Sequence, residues 1–336
     1  MSFIDLRGLL ARGYGRVAAR RTGGDGVDGG WKVWHGLPLA VAVPALLFTG
    51  SDTSEAVLDQ VEGPRVEVLA ATLPLHVNER VDVWVERFRT NQRKAFQRLL
   101  DRQGAYDELI RSRLRDRGMP EELLYLAMME SGLSNRAVSS ASAVGLWQFM
   151  GPTAEQYGLR VDEWVDERRD PVRATNAALD YLSFLHDRYE SWYLAAAAYN
   201  AGPGTVDRVL RRHAGGRTGD EDLYWEVLDH LPRETRDYVP RLVAATLLAE
   251  DAEREGFDVD RDHPYRYERV FVPGGTSLAR VAWTLKLRPG DLRTLNPHLV
   301  QGVTPPGETY PIRVPPGRTA EVVAAVGRAG KTRRAD

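Results

Sequence analysis

One stretch limits what this chain can fold into more than any other: ELLYLAMME at residues 122–130, followed at once by Ser131 and Gly132. These residues favour helix, and Gly132 offers a natural stop. On that helix Glu130 shares a face with Leu126 and Ala127, its i−4 and i−3 neighbours. A carboxyl on so apolar a face is desolvated, which raises its pKa toward the range useful for a general acid. A loop rich in Ser and Ala follows, then Gly145, Trp147 and Gln148, which suit a wall along an extended polar ligand. The pair Glu-Ser alone is better described as a solvated helix end, so the weight falls on the longer string.

That string is MMESGLSNRAVSSASAVGLWQFM at residues 128–150, with AAAYNAG far downstream at residues 196–202. Together these ordered motifs resemble the family 1 lytic transglycosylases, goose-lysozyme-like enzymes that cut bacterial peptidoglycan. The likeness is nearest to the membrane-bound D type and runs from about residue 81 to about residue 248. It implies a mainly α fold: a lysozyme-like, all-helical catalytic domain, then a small α+β module.

The resemblance also implies a chemistry with one carboxyl where glycoside cleavage usually needs two. Glu130 would protonate the oxygen bridging N-acetylmuramic acid and N-acetylglucosamine, then accept the proton of the C6 hydroxyl that attacks C1. Ser139 aligns with a serine near the acid or the sugar. Two positions on, Ala141 stands where some relatives carry serine, with Ser140 or Ser142 as substitutes. Gln148 offers an amide donor and acceptor, and Trp147 an apolar contact with a sugar face. Tyr199 resembles the residue that positions the acetamido group, and Asn200 one that holds the local backbone. Tyr238, in ETRDYV, is read either as a cleft residue or as core packing.

Composition narrows the setting. With 336 residues there is room for one large or two unequal domains, and a net charge of −2 gives no reason to invoke nucleic acid. Cys is absent, which removes disulfides, thiolate chemistry and the lipid-bearing Cys of a lipoprotein. Residues 1–50 read as a basic leader, a signal peptide or signal anchor, followed by a linker at 51–76. The helical catalytic domain is expected at 77–258, an LysM-like module at 266–316 and a basic tail at 317–336. The chain is thus expected in the periplasm or cell envelope, meeting a membrane only through its leader. Peptidoglycan strands are the expected partner, with cell-wall synthesis or division proteins as further candidates.

Between these limits the apolar residues recur at helical steps. Separate amphipathic segments are expected at about 89–100 and 106–117, with Arg111, Arg113, Arg115 and Arg117 solvated. Trp84 and Phe88 read as core. Asp170-Pro171 supplies a cap and a first-turn proline for a longer helix. Asp162, Glu163 and Asp166 read as solvated surface. His186 and His213 lack a ligand-spaced partner, so neither metal nor cofactor is expected.

From Tyr267 the pattern becomes β, two short helices, β, which resembles a single LysM module, with Gly-Gly-Thr at 274–276 in place of Gly-Asp-Thr. Glycan binding and a purely structural cap both fit it. Every candidate catalytic residue precedes residue 262, so the two parts are expected to be separable. Two rivals stay open: a hydrolytic muramidase on the same scaffold, and a non-catalytic peptidoglycan-binding scaffold.

Overall fold

The computed structural model describes residues 71–259 and 263–332. The leader and most of the linker read from the sequence lie outside them. Nine helices come first among the described residues: α1 (Glu79–Arg89), α2 (Arg93–Asp116), α3 (Leu124–Ser131), α4 (Gly151–Gln156), α5 (Pro171–Tyr189), α6 (Trp192–Ala201), α7 (Pro203–His213), α8 (Asp222–Val227) and α9 (Arg233–Glu250). Their boundaries have local causes. The side chains of Asn78, Asp170 and Ser191 accept from the first free amides of α1, α5 and α6. Pro171 and Pro203 occupy the first turns of α5 and α7, where no N–H is needed.

In α3, residues Leu124 to Met129 are all buried. A helix apolar on every side belongs inside a core, and α3 packs against α2 and α9. Ala195 to Ala198 of α6 are likewise buried and let α5, α7 and α9 approach closely.

Helix α2 departs from the sequence reading. It is one 24-residue helix, not two segments, and it runs through Gly104. An interior glycine costs about 1 kcal/mol, which the burial of Phe96, Leu100, Ile110 and Leu114 on both sides of it outweighs. Nor is Arg111 solvated. It is largely buried and donates to Tyr125 Oη at 3.1 Å, Glu250 at 2.8 Å and Asp107 at 3.1 Å.

Helix α9 contains Pro240, which has no N–H to give the carbonyl of Arg236. The Tyr224 hydroxyl lies 3.1 Å from that carbonyl and 2.9 Å from that of Thr235, so its one hydrogen, shared between them, partly satisfies the acceptor that Pro240 leaves.

The C-terminal module is β1 (Glu268–Val272), α10 (Leu278–Thr284), α11 (Pro289–Leu295), β2 (Tyr310–Val314) and α12 (Thr319–Thr332). Its strands are antiparallel, with Val270 opposite Ile312. Helix α12, within the stretch expected as a tail, lies against β1 and α10 and buries Val322.

Nor does the module stand apart from the helical domain. Its core includes Val165, from the loop before α5, with Trp164 packed alongside. The amides of Asp166 and Val300 bond to the carbonyls of His298 and Trp164 at 2.9 and 3.1 Å. Arg160 pairs with Glu308 at 2.6 Å. Asp170 is the expected helix cap, yet the guanidinium of Arg313 also grips it. Asp166, expected in solvent, is buried against Arg168 at 2.8 Å. The acid read as a local helix cap, Asp170, is thus also the ion pair that crosses the seam.

Candidate active site

Glu130 occupies the penultimate position of α3 and is half-buried. Gly132 ends the helix at φ 62°, a left-handed conformation suited to glycine. Ser131 Oγ lies 2.8 Å from the carbonyl of Leu146 and accepts the amide of Ser134 at 3.1 Å, which ties the following loop to the helix end.

Burial is the main cause that pushes the Glu130 carboxyl up to about 7. The hydroxyl of Tyr238 opposes it by donating to Oε1 at 2.6 Å. Glu234 raises the value further and Arg241 lowers it. The partial negative charge at the end of α3 acts in the same sense as burial. The result is a carboxyl poised to give and regain a proton near neutrality.

Tyr199, on α6, senses the same charge: burial first, then Glu130, holds its phenol well above the ordinary value. Its hydroxyl donates to the carbonyl of Trp147 at 2.8 Å. The oxygen can still accept, so an amide N–H of a ligand has a partner there.

Trp147 itself is fully buried, and its indole N–H donates to Thr175 Oγ1 at 3.0 Å. It is a core anchor for the loop, not the sugar contact that the sequence suggested. Gln148 adopts φ 49° and donates its amide to the carbonyls of Gly145 at 2.8 Å and Ala137 at 3.4 Å. Its Oε1 is the end left for a ligand. At Gly145, φ is 85° and a Cβ would stand 1.8 Å from the carbonyl of Arg168, so the loop tolerates no side chain there.

Ser139 accepts the amide of Ala143 at 3.0 Å and closes a turn within the loop. Asn200 does not hold its local backbone. Its Oδ1 accepts from Thr235 Oγ1 at 2.8 Å and its amide approaches Glu234 at 3.4 Å, joining α6 to α9. The structure thus brings Tyr238 and Tyr199 to Glu130 from α9 and α6, sets Asn200 against Thr235 and Glu234 of α9, and places Ser139 and Gln148 in the loop's own frame. Sequence reasoning missed Glu234 and Arg241. Their spacing of four before and three after Tyr238 sets all three on one face of α9, which was the available signal.

Residues 108–220 match the family described as Transglycosylase SLT domain, and residues 266–328 match Lytic transglycosylase MltD, LysM-like domain. The membrane-bound lytic murein transglycosylase D of Escherichia coli strain K12 is 33% identical over 190 residues, 56% of this chain and 41% of that protein. A putative tributyltin chloride resistance protein of Alteromonas sp. strain M-1 is 37% identical over 95 residues, 28% of this chain and 46% of its own. The solved structure of the soluble lytic transglycosylase SLT70 from Escherichia coli aligns with a TM-score of 0.37 and 24% identity, over 44% of this chain and 24% of that one. The chain spans about two fifths of the length of the transglycosylase D relatives, at 41% of each. It carries an SLT domain followed by an MltD-type LysM-like domain, and it resembles the lytic transglycosylases in both.

Proposed function

We propose that this chain is a peptidoglycan lytic transglycosylase of the bacterial cell envelope. It cleaves the β-1,4 bond between N-acetylmuramic acid and N-acetylglucosamine and leaves 1,6-anhydromuramoyl ends. The observation that carries this is the Glu130 carboxyl, pushed up to about 7 and held by Tyr238 at 2.6 Å. At neutral pH a large share of molecules hold the proton on Glu130, and the glycosidic oxygen receives it as the C1–O bond breaks. The substrate's acetamido oxygen stabilises the cation at C1, with its N–H directed to Tyr199 Oη. Tyr238 then stabilises the carboxylate just formed. The C6 hydroxyl attacks C1 and returns its proton to Glu130, so the enzyme ends as it began and no water enters the product.

Hydrolysis is the competing outcome, because Glu234 is a second carboxyl within electrostatic reach of Glu130. Digestion of purified sacculi, with the sugar ends identified by mass spectrometry, separates the two. Anhydro ends from the wild type, and none from a folded Glu130→Gln variant, are expected. Reducing ends would make the protein a muramidase, and intact sacculi with the wild type would overturn both enzymatic readings.

A further inference from the structure

A cavity of about 270 Å³ opens at the seam between the helical domain and the C-terminal module, and neither Glu130, Tyr199 nor Tyr238 lines it. Three arginines do: Arg136 from the loop after α3, Arg169 from the turn before α5, and Arg293 from α11. No lining residue is acidic. Arg169 Nε is buried without a hydrogen-bond partner, and its nearest carboxylate oxygen, Asp166 Oδ2 at 3.4 Å, already accepts from Arg168 at 3.0 Å. Arg293 rests against Gly302, where an added Cβ would stand 2.7 Å from its guanidinium, so glycine at 302 makes room for it. The floor is rigid, since the Asn296 side chain bonds to the backbone of Leu292 and Arg313 at 2.7–2.8 Å.

We propose that this cavity is a carboxylate site that takes the peptide arms carried by the glycan strand. Guanidinium forks match carboxylates, and three of them face one space whose lining carries no acid, the nearby Asp166 being already held by Arg168. Drug-sized ligands occupy about 300–1,000 Å³, so this volume suits the carboxylate-bearing end of an arm and not a sugar chain. Arg136 follows Glu130 by six residues, which keeps the two Cα atoms within about 20 Å. An arm on a sugar near the acid reaches that far. The site rests on the function proposed above, and it would select strands that still bear their peptides.

The test uses the full chain carrying Glu130→Gln, so that strands bind without being cut. Binding is measured for strands bearing tetrapeptide arms and for the same strands stripped by an amidase. The unmodified-pocket protein should prefer peptide-bearing strands, and Arg136→Gln with Arg293→Gln should reduce that preference roughly tenfold, the scale of two ion pairs lost. The double lysine variant, which keeps the charge and loses the fork, should fall between the two. Free tetrapeptide should compete with peptide-bearing strands, whereas inorganic phosphate at equal ionic strength should not. An unchanged preference in the glutamine variant, or equal competition by phosphate, overturns the proposal and leaves the function intact. Failure to bind either strand would overturn the function as well.

Discussion

Asp170 accepts the amides of Val172 and Arg173 with one oxygen while Arg313, on β2, holds both of its oxygens at 2.7 and 2.6 Å. One carboxylate thus starts helix α5 and fastens the C-terminal module to it. Both partners are buried, at 3% and 7% exposure, so removing either leaves an unpaired charge in the core.

Arg313→Gln is expected to destabilise the chain by about 3–5 kcal/mol, the usual cost of breaking a buried pair from one side. Urea unfolding measures it. Truncation before residue 263 should do at least as much harm, because Val165 and Trp164 lose their cover as well. The separability expected from the sequence is therefore reversed. A truncated chain with wild-type stability would show that the seam contributes nothing.

Acid should loosen the same seam. Burial holds the His298 imidazole down to about 4. An unfolded chain protonates this group near 6.5 while the folded chain resists until about 4, so stability falls as pH drops through that window. Burial would raise the Asp170 carboxyl, but Arg313 and His298 hold it below its ordinary 3.8, so its contribution is lost only at still lower pH. Glu130 acts in the opposite sense, since a carboxyl raised from 4.5 to about 7 favours the folded state less as pH rises through that range. The comparison that isolates His298 is His298→Asn against wild type. The variant should lose less stability between pH 6.5 and 4, read from urea midpoints.

Cleavage should decline as pH rises past about 7, where Glu130 loses its proton. Tyr238→Phe removes a bond that favours the carboxylate, so this limb should move to higher pH while the maximal rate falls roughly tenfold. The profile of kcat/KM against pH checks both parts. A limb that stays in place would mean Tyr238 only packs.

How much of this was legible in the sequence depends on range. The acid and the glycine that ends its helix are written two residues apart, and the cap at Asp170 stands next to the proline that opens its own helix. Tyr238 is 108 positions from Glu130, and only the packing of α9 on α3 brings them together. Trp147 looked like a ligand contact because the partner of its indole N–H, Thr175, is 28 positions away. Arg111, Asp166 and Asp170 looked solvated, or merely local, for the same reason. A charge reads as surface until its distant partner is in place, and periodicity carries no information about that partner.

Tyr199→Phe keeps the ring and deletes the hydroxyl that meets the carbonyl of Trp147. Turnover should fall roughly tenfold, because the loop carrying Gln148 loses its tie and the acetamido N–H its acceptor. Stability should fall by about 1 kcal/mol. Product analysis should still find anhydro ends, since Glu130 and the C6 hydroxyl are untouched. Full turnover in a folded variant would remove Tyr199 from substrate positioning.

Finally, Tyr224 and Pro240 form a grammar of two letters written 16 positions apart. The phenol supplies the hydrogen that the imino acid cannot, so the value of each letter depends on the other. Tyr224→Phe should cost about 1–3 kcal/mol while Pro240 is present. In a Pro240→Ala background it should cost less, because the new amide serves the carbonyl of Arg236. A thermodynamic cycle over the four chains measures this coupling, expected at about 0.5–3 kcal/mol, and strict additivity would refute it. The order of permissible change follows. The proline can drift first with the tyrosine still in place, but a lineage that loses the tyrosine first must cross a less stable intermediate.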